Sequence, residues 1–186
     1  MSTTASPAER DLHEAEHIRR HHGHLVAELD RLSDQLASHP SEGAREELSH
    51  FLTDSLLPHA AGEERSIYQA ASRLEAGQAL VEALVREHVL IRGAVTHFNE
   101  ADMDDARIWG LAIADTFRSH QAKEDDIVVP MLLAAPGFPS PMPTAPTEPI
   151  RRRVATVRGT SGRAGAAVRR AGLAGARRPG AVPDGG

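Results

Sequence analysis

The chain has 186 residues, no cysteine, eleven histidines, and only four Phe, one Trp and one Tyr. The length suits one domain or two small ones. The absence of cysteine excludes disulfides, thiolate-bound zinc, iron–sulfur clusters and thiol catalysis. No apolar run reaches the roughly 20 residues of a membrane-spanning helix, and the opening MSTTASPAERDL lacks a signal-peptide core. A soluble, cytoplasmic protein without a membrane span is expected. The formal net charge of −5 hides a division of the chain. Residues 1–135 carry 24 acidic and 12 basic residues, whereas residues 136–186 carry two acidic and nine basic ones.

The first part, 1–135, reads as four helices. Helix A opens on a capping box, with Ser6 as N-cap, Pro7 at the first helical position and Glu9 three residues on. Its stripe Ile18, His22, Leu25, Leu29, Leu32, Leu36 has the helical period, and His39-Pro40 ends it. Helix B is expected from about Ser41 to Arg73 through Leu48, Leu52, Leu56, His59, Glu63 and Ile67, kinked at Pro58. Helix C starts near Gly77 and runs through Val81, Leu84, His88, Ile91, Val95 and Phe98. A turn over Asn99–Asp105 leads to helix D, with Ile113, Phe117, His120, Glu124, Val128 and Met131 on its stripe, closing near Pro136. Asp102, Asp104 and Asp105 suit the positive end of that helix. No segment alternates as a strand. Four helices with short connections predict an all-α, up-down-up-down four-helix bundle.

Residues 136–186 hold eight of the twelve prolines, nine of the fifteen glycines, and arginine as their sole basic residue. That composition predicts a disordered basic tail, because ordering it costs entropy that no apolar surface repays. Its arginines offer weak electrostatic contact with an anionic partner, but no aromatic residue follows Phe138 to stack on bases, and no specific nucleic-acid binding is expected.

Each stripe contains one histidine. Helices B and D share a further pattern: His59-x-x-x-Glu63-Glu64 and His120-x-x-x-Glu124-Asp125. Positions i and i+4 share a helix face, so an imidazole and a carboxylate reach one site. Helices A and C share His22-x-x-Leu25-x-x-x-Leu29 and His88-x-x-Ile91-x-x-x-Val95. The order His, His-Glu, His, His-Glu describes two halves of one metal site. Four imidazoles and two carboxylates suit two ions of a metal such as iron, zinc, copper or nickel. A Gly-rich phosphate loop and a Ser-His-Asp order are both missing.

The motifs His22-x-x-Leu25, Leu57-Pro58-His59-x-x-x-Glu63-Glu64 with Ile67-Tyr68, Glu87-His88-x-x-Ile91-Arg92, and His120-x-x-x-Glu124-Asp125 with Val129-Pro130 together resemble the hemerythrin-like proteins, specifically the bacterial HHE cation-binding domain. The resemblance covers about residues 10–135. It implies a non-haem, carboxylate-bridged centre of two Fe ions, with His22, His59, His88 and His120 as imidazole ligands and Glu63 and Glu124 as bridges. It implies a diatomic ligand (oxygen or nitric oxide) or peroxide as reactive partner, with peroxide decomposition as a conceivable activity. The alternatives are an iron store or donor for damaged iron centres, and a metal-free or zinc-filled interaction scaffold. Two positions depart from the oxygen carriers. Arg92 stands where they have a second helix C histidine, and Asp125 competes with Glu124 because it has their offset from the helix D histidine. The internal repeat favours Glu124.

Among the remaining candidates, His21 is expected as a supporting or surface residue rather than a ligand. His13, His17 and His24 are expected to be exposed, and His39, His50 and His97 lie off the pattern. Tyr68 is expected to turn its hydroxyl outward, Glu87 and Arg92 to be surface charges, and Glu64 to matter little to the metal.

Overall fold

The computed structural model describes residues 6–135, and those residues are almost wholly helical. Helix α1 (Pro7–Ser38) begins at the expected capping box: the Ser6 amide donates to Glu9 Oε2 at 2.7 Å and the Glu9 amide to Ser6 Oγ at 3.2 Å. Two of the amides that a helix start leaves unpaired are thereby satisfied.

The second long element is segmented rather than one kinked helix. It comprises α2 (Glu42–Phe51), a π-helical turn at Leu52–Leu56, α3 (Leu57–Arg65) and α4 (Ile67–Ala71). Pro58 lies in the first turn of α3, directly after the π turn. Proline has no amide to donate and its ring crowds the carbonyl four residues back, so one extra residue in the preceding turn accommodates it. Between α3 and α4 the chain breaks at Ser66, whose hydroxyl donates to the Gly62 carbonyl at 2.8 Å. Neither the π turn nor this break was expected.

Helix α5 (Gln78–Glu100) follows a 3₁₀ turn at Glu75–Gly77. A methyl group on Gly77 would lie 2.0 Å from the Ala71 carbonyl oxygen, so the glycine lets two backbones touch. Gly77→Ala is expected to destabilise the fold by about 1–3 kcal/mol, as overpacking does, read as a lower urea midpoint at unchanged m. The turn before α6 (Met103–Lys123) is shorter than expected, since Asn99 and Glu100 still belong to α5. Asp102 caps α6 by accepting from the Asp105 amide at 3.0 Å. A second π turn at Glu124–Val128 then leads into α7 (Val129–Ala134), with Pro130 in its first turn. The same device thus accommodates both interior prolines.

Helix α1 packs against α2 and α6, α5 packs against α6, and α3 and α4 close on α5, completing a four-helix bundle. The core consists of two apolar clusters. One holds Leu25, Leu29, Leu36, Leu48, Leu56, Ile91, Phe98 and Phe117 among others. The other holds Ile18, Ile67, Tyr68, Leu84, Val128 and Leu132. Every stripe passes from one cluster to the other at its histidine: Ile18 to Leu25 across His22, Leu56 to Ile67 across His59, Leu84 to Ile91 across His88, and Phe117 to Val128 across His120. A polar layer therefore lies between two apolar ones. Among the described residues no helix is long and apolar enough to cross a membrane. The expected boundary coincides with the last described residue, and the basic tail, 136–186, lies outside the described residues.

Candidate metal centre

The structure brings together all six residues expected at the site. His22, Glu63, His88, His120 and Glu124 have no exposed surface, and His59 is 5% exposed. Their potential ligand atoms form two groups, His22/His59/Glu63 and Glu63/His88/His120/Glu124, and within each group the atoms lie within 4.8 Å of one another. Glu63 is common to both groups, while Glu124 belongs to one.

The short distances are not those of satisfied hydrogen bonds. His59 Nε2 lies 2.9 Å and His22 Nε2 3.2 Å from Glu63 Oε1, and His88 Nε2 lies 3.4 Å from Glu63 Oε2. Even so, His22 Nε2, His59 Nε2 and both Glu63 oxygens are buried without a hydrogen-bond partner. A buried, unpartnered carboxylate is expensive, by several kcal/mol even after relaxation. Electron pairs of nitrogen and oxygen converging on shared points fit a cation, and His with carboxylate suits a first-row transition metal.

The outward nitrogens of three imidazoles are each held by a carboxylate. His22 Nδ1 meets Asp125 Oδ1 at 2.7 Å, His88 Nδ1 meets Glu64 Oε1 at 2.9 Å, and His120 Nδ1 meets Glu87 Oε2 at 2.9 Å. A proton held on Nδ1 leaves the Nε2 lone pair facing inward, which fixes the tautomer and makes the ring a better ligand. Arg92 braces Glu64 at 2.9 Å and Lys123 braces Glu87 at 2.5 Å. Gln121 donates to Glu124 Oε2 at 2.7 Å and also contacts His22 Nδ1.

These contacts overturn three expectations. Glu64 and Glu87 orient site histidines although each is partly exposed, and Arg92 acts on the site through Glu64. A long acidic side chain at a helix edge reads as a surface charge, but here its tip reaches inward. The internal repeat carried the missed signal: Glu64 and Asp125, the second acids of its two copies, bond the histidines of helices C and A. Glu64→Ala is accordingly expected to weaken metal binding about 10–100-fold, the usual cost of losing such a support. Equilibrium dialysis against a metal buffer checks this.

The fourth correction is Tyr68. Its hydroxyl points inward, donating to Glu124 Oε1 at 2.5 Å and lying 3.2 Å from His120 Nε2 and 3.5 Å from His88 Nε2. The break at Ser66 rephases the chain and turns the ring into the bundle. Burial, followed by the Glu124 and Glu63 charges, pushes the phenol pKa far up, so Tyr68 keeps its proton.

His21 is buried, 7% exposed, with its ring 5.0 Å from that of His59, but it belongs to neither ligand group. Burial and the neighbouring His59 and His22 push its pKa down to about 4. In the repeat His21 precedes His22 as Glu87 precedes His88. One half thus places a carboxylate behind a site histidine where the other places an imidazole. Without a cation, the carboxylates draw protons onto His22 and His120. Burial opposes a charged His22, but Asp125 and Glu63 outweigh it and push its pKa up to about 10. Burial likewise opposes the Glu63 charge, yet the surrounding histidines hold its pKa well below the usual range.

The family model for the hemerythrin HHE cation binding domain matches residues 13–142. No curated protein and no solved structure matches the chain.

Proposed function

The chain belongs to the hemerythrin HHE cation-binding family, and on that premise we propose that it is a non-haem di-iron protein whose reactive partner is oxygen, nitric oxide or peroxide. The observation that carries this reading is the shared Glu63, both of whose oxygens are buried and unpartnered between His22, His59 and His88. His22, His59, Glu63, His88, His120 and Glu124 would hold the irons, with Glu63 common to both ligand groups. Two irons supply redox and Lewis-acid chemistry toward small oxygen or nitrogen species.

The chain's own groups define what happens around that chemistry. The apolar clusters on either side exclude bulk water, which strengthens every charge interaction within. Glu64, Glu87 and Asp125 hold the outward Nδ1 of His88, His120 and His22 and so aim the inward Nε2 of each ring. The guanidinium of Arg92 is turned to Glu64, so it supplies no ligand where the oxygen carriers have a histidine. Tyr68 enters the same layer from α4 and brings an oxygen donor with a retained proton. Its proton is donated to Glu124, and its oxygen lies beside His88 and His120, so the hydroxyl fixes Glu124 within the layer.

The test is iron content after anaerobic reconstitution, with absorption followed as air is admitted. Two irons per chain and a new charge-transfer band are expected. No iron, or zinc held in preference to it, overturns the reading. Tyr68→Phe is expected to retain both irons and change that band; an identical spectrum would remove Tyr68 from the site chemistry. The rate of peroxide loss separates an enzyme from a carrier or sensor.

A further inference from the structure

Four histidines on α1 have no part in the assigned ligand set. His13, His17, His21 and His24 recur at steps of 4, 4 and 3, and so lie along one face of the helix. Neighbours on such a face have Cβ atoms about 5–6 Å apart, within reach of one metal ion for two imidazoles. Histidine is a weaker helix former than the Glu, Arg or Lys that usually line a solvated face, so propensity does not account for four of them there. His13, His17 and His24 are exposed, and His21 is buried. The His21 ring lies 5.0 Å from that of His59, tilted by 59°. The row is therefore exposed on either side of His21, which sits at the edge of the His22/His59/Glu63 group, at the position where the other half of the repeat has Glu87.

We propose that this face is an uptake ladder for a divalent transition-metal ion: exposed His13, His17 and His24 collect the ion, and His21 passes it to His59. The ladder rests on the metal-site reading above and adds a route and a second, transient class of binding position. Imidazoles match the ion's chemistry without holding it as firmly as a carboxylate-bridged centre. Transfer along the row exchanges one nitrogen ligand for the next, with no change in oxidation state.

The test uses the full chain stripped of metal and mixed anaerobically with Co(II), whose visible band reports ligation. Uptake rate, final Co(II) per chain and melting temperature are read for the wild type, the triple variant His13→Ala/His17→Ala/His24→Ala, His21→Gln, and His50→Ala as an exposed control on α2. The triple variant and His21→Gln are expected to load about tenfold more slowly, the low end of what local concentration of an ion adds to an on-rate. Their final Co(II) content, band and loaded melting temperature should equal the wild type's, and His50→Ala should load normally. Unchanged rates in the triple variant and His21→Gln would overturn the ladder alone, leaving the partly exposed Glu64, Glu87 and Asp125 as the route. Loss of final Co(II) in either would also overturn it, by making these histidines ligands. No uptake by the wild type would overturn the metal-site reading and the ladder with it.

Discussion

Glu63→Gln is expected to empty both ion positions, whereas Glu124→Gln should leave about one ion per chain. Glu63 alone is shared by the two ligand groups, so its charge serves both. The loss should exceed the roughly 10–100-fold expected for a supporting residue such as Glu64. The amide has the carboxylate's shape, so the fold should persist. It also removes a buried negative charge, and replacing a buried ion network by neutral groups is often neutral or stabilising. The Glu63→Gln chain should therefore melt at the same temperature with and without a chelator. Metal analysis of the purified variants, followed by melting with chelator, checks both statements. Retention of two ions by Glu63→Gln would refute the bridging role.

The second large effect is the response of the wild type to metal removal. Metal a thousandfold above its Kd adds about 4 kcal/mol to stability, which for a domain of this size raises Tm by on the order of 10 °C. This gap should depend on pH. In the metal-free protein His22 has a pKa raised from 6.5 to about 10. Its stabilising contribution is fully present below 6.5 and is lost as pH rises through 10. Glu63 is lowered well below its ordinary 4.5, so its contribution is present above 4.5 and lost as pH falls through the folded value. The metal-free form should thus be most stable between about 4.5 and 6.5 and weaken toward alkaline pH. Metal binding must displace the ring protons, so it strengthens over the same rise. The difference in Tm between loaded and chelated protein should grow from pH 6 to pH 9, with protons released on loading. A difference that shrinks with pH would exclude imidazole ligation.

The helices and the inward register of the site residues were legible because both depend on one signal, the 3.6-residue period of the apolar stripes. His22, His59, His88 and His120 interrupt those stripes in phase, and Glu63 and Glu124 follow by one turn. The π turns escaped because steps of four, as in Leu48, Leu52 and Leu56, fit an α-helix and a locally widened one equally well. Tyr68 escaped for a related reason. Its direction depends on the break at Ser66, a residue whose composition marks no boundary. Glu64, Glu87 and Asp125 escaped because half-exposed acids satisfy the pattern of a solvated face. What they do is decided by the partner across the bundle, which a single helix's sequence does not display.

The two halves of the repeat differ behind their histidines, Glu87 against His120 in one and His21 against His59 in the other. A carboxylate increases the electron-donating strength of the ring it holds, and a neutral imidazole does not. Within the di-iron reading, the two berths are unequal: a retentive one at His88/His120, where carboxylates hold both rings, and a looser one at His22/His59, where Asp125 holds His22 alone. A chain given a single equivalent of metal would then become a uniform half-filled species rather than a mixture of full and empty molecules. Its second ion would be the exchangeable one, so occupancy would follow the supply of metal around it.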